Sequence, residues 1–259
     1  MIELHAKVNG SGTPVLLLHG LFGSLENLGV VARHLAHHHE VHALDLRNHG
    51  RSPHVEPMNY EVMTADVIHY LNSRGLSAVR VLGHSMGGKV AMTLALQHPQ
   101  RVSHLAVADI APVTYGRHHD DVFAALAELD LAILPSRQAA DALLAHFIPE
   151  PAVRLFLLKN LVKSGAGCFQ WRLNLSAITR HYPALLQGQH AEHPYDGPVL
   201  FIKGGLSDYI RPAYQAHTLA LFPSARLRII PAAGHWLHAE KPQLFSRLVQ
   251  QFFAVERTS

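Results

Sequence analysis

The sequence has one cysteine, Cys168, in 259 residues. A single thiol cannot form an internal disulfide, so packing must hold the fold, and nothing asks for an oxidising compartment. Long apolar runs are also missing. None approaches the ~18 residues of a membrane-spanning helix. The opening residues, Met1-Ile2-Glu3-Leu4-His5, place an acid at position 3 and do not read as a secretory signal. The expectation is a soluble cytoplasmic chain without a membrane span. Lys and Arg are scattered, and the formal net charge is only +3. With no basic stripe and no nucleic-acid motif, a nucleic-acid partner is not expected. Internal repeats and low-complexity linkers are absent as well, which leaves one large domain with room for an insertion.

Histidine, by contrast, is abundant, with 22 residues. His37-His38-His39 and His118-His119 suggest a metal cluster at first sight. Adjacent residues on a helix point in different directions, and no spacing suits a third ligand. No metal site is expected, and these histidines read as solvated surface residues.

Apolar residues make up 48% of the chain. Their rhythm is a short apolar run, a loop and an amphipathic stretch, which marks a mostly parallel sheet covered by helices. Strands are expected at Val15–Leu18, Val41–Leu46, Val79–Leu82, Leu105–Ala108, Pro198–Ile202 and Leu227–Ile230, with an antiparallel edge strand before Val8. Asn59 suits the N-cap of a helix from Tyr60 to Arg74, with Gly75 just past its end. A second helix should start near Ser85 and stop before Pro99, and a last one should run from Pro242 to Val255. Between Pro112 and His193 the strand–helix alternation stops, and only helical patterns appear, such as Asp121–Leu131 and Ser136–Phe147. The reading is a core of residues 1–112 and 194–259 with an inserted, mainly helical cap over 113–193. A loop that long without structure would be unusual. A cap over the strand ends would shape a pocket and exclude water.

Gly83-His84-Ser85-Met86-Gly87 matches G-x-S-x-G, and Gly88 follows. Such a pattern arises by chance in roughly one chain of this length in fifteen. Its setting is more specific. An apolar strand leads in and a helix-compatible run leads out, as a serine on a sharp strand-to-helix turn requires. Glycines two positions to either side allow close backbone approach. Ser85 is therefore the candidate nucleophile.

A serine hydroxyl needs a base within hydrogen-bond reach. His235 follows the last expected strand and lies at the same sheet edge as Ser85, in the chain order this motif requires. His238 is the nearest rival, and His84 is read as support for the nucleophile turn. His19-Gly20-Leu21-Phe22-Gly23, after the first buried strand, suits an oxyanion hole. Leu21 is the preferred amide donor and Phe22 the alternative, with Met86 supplying the second amide. Two aspartates end suitable strands, Asp208 after the fifth and Asp109 after the fourth, and position alone favours Asp208. Trp236 and Phe22 are candidates for lining a substrate pocket. Lys89, inside the nucleophile helix, reads as half of a structural ion pair, and Arg47-Asn48-His49-Gly50-Arg51-Ser52 as a structural loop.

Taken together these segments resemble the α/β-hydrolase superfamily, and more closely the bacterial YbfF-type esterases. The resemblance rests on His19-Gly20-Leu21-Phe22-Gly23-Ser24-Leu25-Glu26-Asn27-Leu28-Gly29, Arg47-Asn48-His49-Gly50, Gly83 to Lys89, Asp109-Ile110-Ala111-Pro112-Val113 and Gly234-His235-Trp236. It implies an α/β-hydrolase fold and a carboxylesterase acting on a small-molecule acyl ester, with acyl-CoA thioesters as further substrates. It implies a serine hydrolase without metal or organic cofactor. It also implies that the acid is Asp109 and that Ser207 approaches the histidine. The chain departs from those relatives in carrying Asp208 where they lack an acid. Carbon–carbon bond hydrolases and cofactor-free haloperoxidases share the serine and histidine and stand as alternatives. Dehalogenases of this fold need an aspartate nucleophile, which Ser85 is not.

Overall fold

A computed structural model describes residues 1–165 and 167–254. The chain opens with β1 (Ala6–Asn9) and β2 (Pro14–Leu18), then α1 (Gly29–Leu35), β3 (Glu40–Leu44), α2 (Tyr60–Ser73), β4 (Val79–His84), α3 (Met86–Gln97) and β5 (Val102–Ala108). An insertion follows, with α4 (Asp120–Ala127), α5 (Arg137–Leu144), α6 (Pro151–Leu158), β6 (Leu161–Lys163), β7 (Phe169–Trp171) and α7 (Leu175–Leu185). The chain then returns through β8 (Val199–Gly204), α8 (Gln215–Leu221), β9 (Ala225–Ile230), α9 (Leu237–Glu240) and α10 (Pro242–Phe253). Val255, where the expected last helix ends, lies outside the described residues.

Among the described residues, seven strands form one sheet in the order β1-β3-β2-β4-β5-β8-β9. β1 runs antiparallel to β3, and the other neighbours are parallel. The central strands are buried on both faces, which explains their unbroken apolar runs. Side chains alternate between two layers, as the period of a strand requires. Leu16 and Leu18 join Val67, Leu71, Val90 and Leu94 of α2 and α3. Val15 and Leu17 join Val31 and Leu35 of α1 and Phe245 and Val249 of α10 on the opposite face. Each such side chain, fully buried, contributes about 2 kcal/mol, so two apolar layers do the work a disulfide would do in a smaller domain.

Local signals act where the sequence places them. Asn59 accepts a hydrogen bond from the Val62 amide and starts α2, and Gly75 follows its end with φ 66°. Ser136 caps α5 through the Ala139 amide. The insertion departs from the expected pattern in two ways. Its first helix stops at Ala127 rather than Leu131, and a two-stranded antiparallel hairpin, β6–β7, interrupts the helices. Strands of three residues are too short to show an alternation in sequence. Phe123, Leu144, Leu157 and Ile178 from the insertion join the same apolar cluster as α2 and α3, so the insertion packs as part of the core. No helix among the described residues is long and apolar enough to cross a membrane.

The expectation of surface residues holds for His37, His38 and His118 but fails for His39, which is buried, and for His119, which is half-buried. His19, His39, His42, His49, His84, His104 and His238 are buried. They are absorbed because imidazole can donate and accept in a polar interior. His42, for example, joins the Tyr70 hydroxyl at 2.8 Å and Glu40 at 2.7 Å. Desolvation lowers several of them, His19 and His238 to about 4, His49 to about 3 and His84 well below its ordinary value.

In the unfolded chain these groups titrate near 6.5, so below that pH the unfolded state binds more protons and stability falls. The expected outcome is a urea midpoint that drops steadily from pH 6.5 towards pH 4, each such histidine adding up to about 1.4 kcal/mol per pH unit. A midpoint unchanged between pH 7 and pH 5 would contradict the burial of neutral imidazoles.

Candidate active site

β4 ends at His84, and Ser85, with φ 52° and ψ −119°, is the N-cap that leads into α3. A non-glycine residue at positive φ is strained and persists only where packing over-determines it. The packing here is backbone on backbone. A Cβ on Gly83 would lie 2.2 Å from the Gly87 carbonyl oxygen, and one on Gly87 would lie 2.3 Å from that of Leu18. The Ser85 amide donates to the Ala108 carbonyl at 3.0 Å, tying the turn to β5.

The C-terminal ends of β4, β5, β8 and β9 converge at this edge. Ser85 Oγ lies 3.0 Å from His235 Nε2, and His235 Nδ1 lies 2.8 Å from Asp109 Oδ2. With the proton on Nδ1, the imidazole donates to Asp109 and accepts from the serine hydroxyl. Asp109 is fully buried at φ 51°; its Oδ1 accepts from the Gly204 amide at 2.9 Å, and its Oδ2 also accepts from the Ser207 hydroxyl.

The positional expectation for Asp208 is corrected. Its side chain is 88% exposed and faces Arg211 at 3.8 Å. The reason is local. The Ser207 amide donates to the Gly204 carbonyl at 3.0 Å, and Lys203 Nζ donates to the Ser207 carbonyl. The turn is fixed with Ser207 inward, and the next side chain points to solvent.

The loop after β2 is clamped by two buried imidazoles. His19 donates from Nδ1 to the Gly20 carbonyl at 2.8 Å and accepts at Nε2 from the Leu46 amide at 3.0 Å. His49 accepts at Nε2 from the Phe22 amide at 3.2 Å and donates from Nδ1 to the Arg47 carbonyl at 2.9 Å. Both are kept neutral chiefly by desolvation. The Phe22 amide is thus engaged, which leaves Leu21 as the candidate loop donor. Met86 is the first residue of α3, where an amide has no partner within the helix. The Arg47–Ser52 segment is structural as read: Arg47 Nε pairs with buried Asp66 at 2.6 Å.

Other residues carry no sequence signal for their place. Tyr209 stacks on His235 with ring centroids 4.0 Å apart and planes at 24°. His118 Nε2 meets the Tyr209 hydroxyl at 2.7 Å, and His119 Nδ1 meets that of Tyr182 at 2.8 Å. Burial first, then His118 and His235, push His119 down to about 3. Asn160, from the insertion, donates to the Phe22 carbonyl at 2.7 Å. His84 donates from Nε2 to the His235 carbonyl at 2.9 Å, and His238 packs on His84 with centroids 4.5 Å apart. Lys89 is also corrected. It is 1% exposed and pairs with no carboxylate; its ammonium donates to the carbonyls of Val113 (2.7 Å), Leu186 (3.4 Å) and Gln187. Burial lowers it to about 7.

A cleft of about 270 Å³ opens on Ser85 and His235, walled by Phe22, Val153, Phe156, Leu157 and Trp236. Trp236 and Phe156 of α6 lie 5.3 Å apart by ring centroids. Among the described residues, no group of His, Cys, Asp or Glu could hold a metal ion. A hydroxyl, imidazole and buried carboxylate in this line can move a proton off the hydroxyl and stabilise the imidazolium that forms.

The sequence matches the alpha/beta hydrolase fold family over residues 13–242. It is 40% identical over 248 residues to Esterase YbfF of Escherichia coli, covering 95% of each chain. It is 41% identical over 248 residues to the sn-1-specific diacylglycerol lipase ABHD11 of Mus musculus, covering 93% of this chain and 80% of the lipase. A solved "Marine microorganism esterase" superposes with a TM-score of 0.95 at 38% identity, over 97% of this chain and 100% of that one.

Gly87→Ala should destabilise the protein by about 3 kcal/mol, because the added Cβ meets the Leu18 and His19 carbonyl oxygens at 2.3 and 2.5 Å. Backbone cannot yield as a side chain can. Urea denaturation of the variant measures this, and wild-type stability would show that the turn relaxes freely.

Proposed function

The chain belongs to the α/β-hydrolase family, and from that premise we propose that it hydrolyses carboxylic esters by acyl transfer through Ser85, His235 and Asp109. The carrying observation is the unbroken line from Ser85 Oγ through His235 to Asp109, at 3.0 and 2.8 Å, facing the cleft. Relatives named as an esterase and a lipase, both acting on ester bonds, support the same reading.

In the first step His235 takes the hydroxyl proton as Ser85 Oγ attacks the ester carbonyl. The charge on the carbonyl oxygen is met by the amides of Leu21 and Met86, each typically worth about 3 kcal/mol of barrier. His235 then passes its proton to the leaving alcohol, or to the thiol of a thioester, as the carbon–heteroatom bond breaks. Water, deprotonated by the same imidazole, cleaves the acyl-enzyme and restores Ser85. Asp109 holds the proton of His235 on Nδ1, so that Nε2 faces the serine. Ser207 and the Gly204 amide fix the Asp109 carboxylate, and Tyr209 covers the imidazole face.

Ser85→Ala should lower turnover of a p-nitrophenyl ester by at least about 10³-fold with an unchanged circular dichroism spectrum. Full turnover by that variant would remove the nucleophile assignment. On the same ester, Asp109→Asn should lose on the order of 10³–10⁴-fold in kcat through the wrong imidazole tautomer, while Asp208→Asn stays within about twofold. A severe loss confined to Asp208→Asn would reverse the assignment of the acid.

A further inference from the structure

Two cavities of unequal size meet at Ser85. The cleft of about 270 Å³ has His235 in its wall. The other, about 40 Å³, also opens on Ser85 and is walled by Tyr60, Met86, Lys89, Ile110, Leu185 and Leu186; His235 does not line it. The tetrahedral carbon formed on Ser85 has three other substituents to place. The oxyanion faces the Leu21 and Met86 amides. The leaving group must lie against His235, which gives it a proton across hydrogen-bond distance. That puts the leaving group in the larger cleft and leaves the smaller cavity for the acyl chain.

We propose that this enzyme selects short acyl groups, acetyl to butyryl, and takes the bulk of its substrate on the leaving-group side. The proposal rests on the reading of Ser85 and His235 given above. A cavity of about 150 Å³ holds the six carbons of benzene, so the smaller cavity holds about two carbons beyond the carbonyl, and the larger one about ten heavy atoms.

The wall of the small cavity away from His235 is proposed to close it, and it is fixed by hydrogen bonds. The Tyr60 hydroxyl donates to the Leu185 carbonyl at 2.5 Å. Lys89 donates to the carbonyls of Leu186 and Gln187 at the end of the insertion and of Val113 at its start. Its ammonium also lies over the rings of Tyr115 and Tyr60, at 5.0 and 5.6 Å. Swinging the wall aside to admit a long chain would strip a buried ammonium of its partners, which is costly. The short cavity is therefore built into the fold.

The test is a series of p-nitrophenyl esters from acetate to decanoate, which keeps the leaving group constant. The expected result is a kcat/KM that falls at least about tenfold between butyrate and octanoate, since a chain with no pocket loses binding methylene by methylene. Octanoate turned over as fast as butyrate overturns the proposal. Leu186→Ala should raise the octanoate-to-butyrate ratio by shortening the end wall. An unchanged ratio in a folded variant, with Ser85 still titrated by a small phosphonate, also overturns it. The wild-type series decides alone if that variant does not fold. Ser85→Ala separates the two readings. Inactivity with every ester, alongside a flat wild-type series, removes only the acyl-length proposal; retained activity removes the proposed mechanism and this inference with it.

Discussion

Where α3 begins, its backbone presses on the end of β2 at a distance that only glycine permits. A Cβ on Gly87 would sit 2.3 Å from the Leu18 carbonyl oxygen, and one on Gly88 would sit 2.7 Å from Ile110 Cγ2. Much of the site follows from this approach. It forces Ser85 to positive φ, because the chain must reverse from strand to helix within one residue. It brings Met86, the first residue of α3, beside the loop that carries Leu21. It also sets the helix start against β5, whose next residue is Asp109. The proposed nucleophile, oxyanion donors and acid are thus positioned by one backbone contact and the sheet register around it. That favours catalysis by preorganisation, in which donors need not move as charge develops.

The second constraint is the cost of burying loops. The segments after β2 and β3 run inside the protein and carry amide groups that no strand pairs. Buried imidazoles meet them. His19 and His49 each donate to one carbonyl and accept from one amide, a task neutral imidazole performs and imidazolium cannot. Desolvation keeps them neutral and so keeps an acceptor available. His84, whose ring centroid lies 4.8 Å from that of His235, is likewise pushed well below its ordinary value by burial, which avoids placing positive charge where it would oppose formation of the imidazolium. A chain rich in histidine thus uses His19, His42 and His49 as hydrogen-bond adapters, and the expected consequence is greater stability at neutral or higher pH.

What was legible in the sequence follows from how each feature is encoded. The sheet was legible because buried parallel strands are unbroken apolar runs. That Ser85 and His235 would meet at one sheet edge was legible because a sharp turn needs glycine at fixed spacing and His235 follows the last strand. Which aspartate meets His235 was not legible from position. Ser207 and Asp208 are neighbours, and which faces inward depends on the Lys203 and Gly204 bonds that pin the turn, as folded geometry alone reveals. Tyr209, His118 and His119 reach the site from surface-like segments with no period or motif of their own. Lys89 was misread because a buried lysine is expected to meet a carboxylate; three carbonyl dipoles serve instead.

Lys89 joins the local and the global parts of the structure. It stands on the first turns of α3, one helical turn from Ser85, and its ammonium ends on carbonyls from both ends of the insertion. The insertion also touches the core through apolar side chains, which resist removal but do little to fix register. Three directional bonds to one buried cation do fix it, because any slide of the insertion breaks them together. Asn160 adds a tie at the other side, from the insertion to the Phe22 carbonyl in the loop that carries Leu21. The walls of both cavities are therefore referenced to the two elements that carry the proposed oxyanion donors. A substitution in the insertion that shifts these ties would act on the reacting geometry as well as on pocket shape. If the proposed donors are the reacting ones, pocket shape and reacting geometry share these buried polar contacts.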